Sequence, residues 1–287
     1  MKSNNDIKII IDKVINSLNY EKVSKKIINF LSDYLIKSKK SCYVLGLSGG
    51  LDSAVTATLA AMMLNNNKEM NWKVKALIMP HTQITPSRDV QDAIRLAKHL
   101  SIDYNVVDVT DIHSSMLIKL SEFTPKEIKG SYRYKVADGN LIARIRMCIL
   151  YYYANANDAL VLGTSDRSEM LIGYYTKYGD GAADLLPIAM LYKSQVRALA
   201  RYLMVDNDIV EKRSSPMLWQ GHYAEQELGM SYDEIDSILY CMFDLRLSLK
   251  DIVAKYHIDK EKVIRVRYMV RSSKHKRMPP NVCDILH

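Results

Sequence analysis

The sequence predicts an α/β fold, a doubly wound and mostly parallel sheet flanked by N- and C-terminal helices. Three observations carry that expectation. Short apolar runs alternate with amphipathic stretches of about ten to fifteen residues between positions 41 and 163, the rhythm of βαβ units joined by right-handed crossovers. The first run ends in a glycine turn that opens a helix. The 48% hydrophobic and 25% charged fractions suit a globular chain that buries a core without staples.

The elements follow in order. Ile7, Ile10, Ile11 and Val14, then Val23, Ile27, Ile28, Leu31 and Leu35, recur at helical spacing, so two amphipathic helices fill residues 6–38. Residues 42–47 read as a buried strand, 52–64 as an Ala-rich helix, 74–79 as a second strand, 88–100 as a helix and 104–109 as a third strand. A long helix is expected over 140–157 and a fourth strand over 159–163, ending in Thr164-Ser165-Asp166. Residues 174–184 carry turn residues and read as a loop. Helices are expected at 193–202, 232–242, 249–256 and 260–271. With no repeat or low-complexity linker, a single domain over 1–287 is expected: N-terminal helices to 40, an α/β core over 41–205 and a helical part over 206–287.

No window approaches the eighteen or so apolar residues of a membrane span, and the N-terminus has no signal-peptide pattern, so a cytoplasmic protein without a membrane partner is expected. Cys42, Cys148, Cys241 and Cys283 stand far apart with no zinc-like spacing and read as reduced and mostly packed. The +8 formal charge is spread along the chain apart from one run, Lys274 to Arg277. That distribution gives no strong case for a nucleic-acid partner.

In an open parallel sheet the ligand lies at the carboxyl ends of the strands, which gathers LGLSGGLDS (45–53), ALIMPH (76–81) and LVLGTSD (160–166) around one crevice. The first segment has the form of a phosphate-binding turn but lacks the lysine of a Walker loop. Backbone N–H groups at Gly49 and Gly50, the following helix dipole and the hydroxyls of Ser48 and Ser53 could grip an anion. Asp52 would repel that anion unless a divalent cation lay between them, which points to Mg²⁺. A helix N-cap is the alternative use of Asp52.

S-G-G-x-D-S resembles the motif of the ATP pyrophosphatases that split ATP between the α and β phosphates. GNLIARIRM (139–147), LVLGTSDRSE (160–169), GYYTKYGDGAADLLPIAMLYKSQV (173–196), ELGMSYDEID (227–236) and SSKHKRMPP (272–280) resemble, in the same order, segments of NAD synthetases of the ammonia-dependent kind. The resemblance covers roughly residues 20–285. It implies a Rossmann-like fold of the adenine nucleotide alpha hydrolase type.

It also implies roles. Gly46, Leu47, Ser48, Gly49, Gly50, Leu51, Asp52 and Ser53 would form the ATP phosphate site, with Thr164, Lys193 and Ser215 also on ATP. Asp52 and Glu169 would hold Mg²⁺. Arg144, Lys177, Asp184, His275 and Lys276 would contact the deamido-NAD substrate, and Asp180 would lie on the loop between the two substrates. Asp52, Lys193 and Asp180 are the implied catalytic groups. Without the resemblance, Arg144 and Glu169 read as helix-surface charges, His275 and Lys276 as a solvated tail, and Asp180 and Asp184 as turn residues. The three tyrosines at 151–153 read as core packing rather than a stacking platform. One segment, 214–225, departs from the family pattern: Ser215 keeps a hydroxyl, but Ala224 stands where an acid is usual.

The implied reaction is ATP-dependent activation of the nicotinic acid carboxylate as an acyl-adenylate, followed by attack of ammonia. Glutamine-dependent members carry a separate amidase domain; about forty residues precede the first strand here, so ammonia is the expected donor. A homodimer is implied, built partly by the helix over 140–157. The alternatives are amidation of nicotinic acid mononucleotide, a tRNA-modifying ATP pyrophosphatase, and a non-catalytic nucleotide-binding module.

Overall fold

A computed structural model describes residues 2–283 and 285; Met1 and the other C-terminal positions of the expected 1–287 unit lie outside the described residues. Two helices open the chain, α1 (Lys2–Asn16) and α2 (Tyr20–Ser38), and the Asn19 side chain caps the second by accepting from the Lys22 N–H at 2.9 Å. Then come β1 (Cys42–Gly46), α3 (Leu51–Asn66), β2 (Lys73–Ile78), α4 (Ser87–His99), β3 (Asp103–Val106), α5 (Thr110–Leu120), α6 (Tyr132–Ala156) and β4 (Leu160–Leu162). After β4 the chain is helical: α7 (Arg167–Ile172), α8 (Lys193–Tyr202), α9 (Asn207–Val210), α10 (Ala224–Leu228), α11 (Tyr232–Phe243), α12 (Leu249–Tyr256) and α13 (Lys260–Ser272).

The four strands are all parallel in the order β3-β2-β1-β4. From β1 the chain winds outward through β2 and β3, then crosses to pair β4 on the other side of β1. The carboxyl ends of β1 and β4 therefore form the switch point at which such sheets bind ligands. Side-chain alternation sets the layers. Tyr43 and Leu45 pack with α2, α3, α4 and α8 on one face, whereas Cys42, Val44 and Val161 pack with α6 on the other. A third cluster joins α1 to α11, α12 and α13.

Three elements differ from expectation. Helix α6 begins at Tyr132 rather than Asn140, capped by Ser131, and it carries Gly139 in its interior. The β3 ladder ends at Val106 rather than Val109: Val107 and Val109 still donate to the Ile78 and Pro80 carbonyls at 2.8 and 2.9 Å, but Pro80 has no N–H with which to answer. Helix α5 is not expected from the sequence: Ile112, Met116, Ile118 and Leu120 are exposed, so its apolar residues form no core-facing stripe. All four cysteines are free, and Cys42 and Cys241 are buried. Cys148 and Cys283 are exposed, against the expectation of packing; Cys148 shares the outward stripe of α6 with Tyr152, one turn on. Tyr151 and Tyr153 do pack against the α6-side core.

Candidate active site

The turn between β1 and α3 is built from its own hydrogen bonds. The Ser53 hydroxyl donates to the Gly50 carbonyl at 3.0 Å and lies 3.1 Å from the Ser48 hydroxyl, and the Gly50 N–H donates to Ser48 Oγ at 3.2 Å. Gly49 has φ +78°, and a Cβ there would fall 2.2 Å from the Asp89 carbonyl oxygen, so only glycine fits. The N-cap of α3 is Gly50, which contributes no side-chain cap. The first N–H groups of α3 thus meet no capping side chain, which leaves an anion site at the positive end of the helix. Asp52 is not the cap; its carboxylate turns elsewhere.

It turns to Lys193. This ammonium, on the first residue of α8, has no exposed surface and lies 2.6 Å from Asp52 Oδ2, 2.8 Å from Glu169 Oε1 and 2.9 Å from Asp166 Oδ2. Burial alone would push the ammonium pKa down; the three carboxylates hold it well above its usual value. Asp166 is fully buried, and burial together with the charge of Asp52 pushes its carboxyl up to about 6 in spite of Lys193. Asp166 also starts α7, accepting from the Glu169 N–H at 2.8 Å while the Glu169 carboxylate returns to the Asp166 N–H. This third carboxylate was missed in the sequence, where the D-x-x-E spacing of that capping box was its signal.

Asp52, Asp166 and Glu169 present oxygens that all lie within 4.8 Å of one another. Asp52 Oδ1 is buried and has no hydrogen-bond partner. A cluster of hard carboxylate oxygens with an orphaned one among them fits a cation such as Mg²⁺. Behind the cluster, Asp236 of α11 accepts from the Ser168 hydroxyl at 2.5 Å and the Ser194 N–H at 2.8 Å, tying α7, α8 and α11 together; burial pushes its carboxyl up to about 7.

These groups border a cavity of about 880 Å³, within the range that holds a nucleotide-sized ligand. The turn from Gly46 to Ser53, Gly49 apart, lines it together with Thr164, Glu169, Asp180 and Ser215. Lys193 lies beneath that surface. The residues expected on the dinucleotide are more dispersed. Lys276 lines the cavity and donates to the Gly173 and Tyr175 carbonyls at 2.7 and 2.6 Å. Arg144, Lys177 and His275 gather outside its lining: Arg144 donates to the Lys177 carbonyl at 3.3 Å, and Lys177 Nζ to the His275 carbonyl at 2.8 Å. Asp184 is exposed beyond β4 and accepts from the Val161 N–H at 2.7 Å. Asp180 closes its loop by accepting from the Thr176 N–H at 2.8 Å.

The profile of the NAD synthase family matches residues 23–280. The chain belongs to that family. An NH₃-dependent NAD⁺ synthetase of Aeropyrum pernix is 46% identical over 278 residues, 97% of this chain and 93% of that one. Among solved structures, the NMN synthetase of Francisella tularensis superposes with a TM-score of 0.77 at 33% identity, over 93% of this chain and 100% of the other. The NH₃-dependent NAD synthetase of Campylobacter jejuni, solved with a nitrate ion, gives 0.75 at 31% identity with the same coverage.

The segment that departs from the NAD synthase pattern is anchored by residues that sequence reasoning did not single out. Glu227 accepts from the Tyr174 hydroxyl at 2.6 Å, lies 2.6 Å from His222 Nε2, and takes a third bond from Tyr132. Trp219 stacks on His222 with ring centroids 3.4 Å apart. Burial alone would raise the Glu227 carboxyl, but its three donors pull it down to about 2. Ser215 donates to the His222 carbonyl at 2.5 Å and accepts from the Met217 N–H at 3.2 Å, so its hydroxyl shapes the loop.

Proposed function

We propose that the protein is an ammonia-dependent NAD synthetase, converting deamido-NAD, ATP and ammonia to NAD, AMP and pyrophosphate. The observation that carries this reading is the arrangement at the switch point. The uncapped start of α3 after β1 lies beside the Lys193 ammonium, which is held beneath the crevice among carboxylates from α3 and from the start of α7 after β4. A helix terminus and a buried cation are what a departing pyrophosphate requires, since negative charge accumulates there as the P–O bond breaks.

In this reading the turn from Gly46 to Ser53 binds the phosphates, and Thr164 and Ser215 contact the nucleotide. Lys193 holds positive charge beside the turn, and its burial keeps that charge fixed without solvent reorganisation. Asp52 and Glu169 hold Mg²⁺, with Asp166 completing the carboxylate set; the ion, when bound, offsets the charge of the leaving pyrophosphate. The substrate carboxylate attacks the α-phosphorus, pyrophosphate leaves, and ammonia then attacks the acyl carbon and displaces AMP. One cavity for both steps supplies proximity and excludes water from the adenylate.

Lys276 contacts the dinucleotide from inside the cavity, and Asp180 lies between the two substrates. Arg144, Lys177, Asp184 and His275 act where two chains meet. Their position outside the cavity lining, and the exposed Ile112, Met116 and Ile118 on α5 and Phe123 beyond it, support a homodimer built on α5 and α6. Among the described residues no helix is long and apolar enough to cross a membrane, and we place the enzyme in the cytoplasm.

A second acceptor, nicotinic acid mononucleotide, is favoured by one finding, the likeness to the Francisella tularensis NMN synthetase. Both acceptors present the same carboxylate. Separate incubation with each, with ATP, Mg²⁺ and ammonium, and chromatographic assay of the amide decides: a higher kcat/KM for deamido-NAD is expected, and a preference for the mononucleotide would replace it.

A further inference from the structure

Beside the phosphate turn lies a second lysine, half-buried, that the reaction above does not use. Lys212, just after α9, points its ammonium between the turn and α4. It donates to the Gly49 carbonyl at 2.8 Å, to Asp89 Oδ1 at 2.6 Å and to Asp92 Oδ2 at 2.7 Å. Asp92 is 1% exposed, and its other oxygen is taken by Arg95 Nη2 at 2.8 Å; Arg95 in turn reaches Asp206 at 3.0 Å, and Arg88 reaches Asp208 at 2.9 Å. A half-buried lysine whose three donors all meet acceptors, two of them carboxylates, is held in one position.

We infer that Lys212 is a positioning residue for ATP, fixing the plane of the Gly49–Gly50 peptide so that the turn presents N–H groups rather than a carbonyl oxygen to the phosphates. In a trans peptide the C=O and the N–H point in opposite directions. Holding the Gly49 oxygen on Lys212 therefore directs the Gly50 N–H away from α4 and into the turn, where it meets Ser48 Oγ at 3.2 Å. A peptide between two glycines is the easiest in a chain to flip, because neither neighbour has a Cβ to resist. Flipped, it would aim a carbonyl dipole at an anion. Asp89 and Asp92 set the ammonium, and the close approach of the Asp89 backbone to Gly49 sets the turn against α4.

The inference rests on the nucleotide reading of this turn, and the test separates the two. Binding of ATP with Mg²⁺, and separately of deamido-NAD, is measured by calorimetry on the wild-type protein, Lys212→Met and Asp92→Asn, with a melting curve for each. Lys212→Met is expected to weaken ATP about tenfold, the loss that follows removal of a charged hydrogen bond, and to leave deamido-NAD unchanged. Asp92 does not line the cavity, and its substitution frees Lys212 to swing toward a bound phosphate. Positioning therefore expects Asp92→Asn to weaken ATP by about threefold, whereas direct contact between Lys212 and ATP expects equal or tighter binding. Folded variants that bind ATP as the wild type does, or that lose both ligands equally, overturn the inference. If Lys212→Met does not fold, Asp92→Asn alone decides. A wild-type protein that binds no ATP contradicts the nucleotide reading itself and removes the inference with it.

Discussion

At the scale of single residues, charge placement dominates. Lys193 and its three carboxylates form a buried cluster in which each member compensates the others, and stripping a partner from such a cluster costs roughly 3–5 kcal/mol. Asp52, like Glu169, is partly exposed. Asp52→Asn is expected to leave the circular dichroism spectrum intact while slowing pyrophosphate release by about a hundredfold or more, the scale of losing one electrostatic element of a preorganised site. Release near the wild-type rate would remove its metal role. Glu227 supplies a pH signature. Its pKa is about 2 when folded against an ordinary 4.5, so the stabilisation is complete above 4.5 and is lost as pH falls toward 2. The difference in melting temperature between wild type and Glu227→Gln is expected to shrink across that window; a difference that stays constant with pH would show that the shift is not the cause. Asp52 stood out in the sequence through the S-G-G-x-D-S motif, and Glu169 and Lys193 through the resemblance to NAD synthetases; the structure brings the three together. Asp166 did not, although its D-x-x-E spacing marked a helix cap, and Lys212 and Glu227 did not, because their roles depend on partners distant in the chain: Lys212 and Asp89, for example, meet only once the fold brings them together.

At the scale of elements, what was legible depends on which face is buried. Helices α8 and α12 fall at their expected bounds, since their apolar periodicity matches their burial. Helix α5 was not legible because its apolar side faces outward, and the start of α6 was not legible because Gly139 reads as a breaker. The structure gives that glycine a purpose: a Cβ at 139 would lie 2.6 Å from Leu218 Cβ, so α6 is notched where the 214–223 segment crosses it. Gly139→Ala adds helix propensity, up to about 1 kcal/mol, yet displaces the segment that carries Ser215. It is expected to raise the KM for ATP severalfold with little change in melting temperature, and Leu218→Gly is expected to restore it. Unaltered kinetics in Gly139→Ala would show that the segment has slack.

At the scale of the whole molecule, the sheet order gathers the site: winding outward through β3 and returning to β4 brings residues from 46–53 and 163–169 to one crevice. The exposed residues of α5 and the segment after it lie outside the lining of that crevice. Ile118, 69% exposed, and Phe123, 80% exposed, belong to an interface in the homodimer reading. Ile118→Asp with Phe123→Ser is expected to turn a dimer into a monomer in sedimentation and to raise the KM for the dinucleotide more than that for ATP. A wild-type protein that sediments as a monomer at assay concentration would refute the dimer.

The central claim is that this crevice makes an adenylate and then an amide. The most direct measurement supplies ATP, Mg²⁺ and deamido-NAD first without ammonium and then with it, following AMP, pyrophosphate and NAD together. The expected result is little free AMP until ammonium is added, and then AMP, pyrophosphate and NAD in equal amounts. Release of ADP and inorganic phosphate, or AMP without amide, would contradict the account.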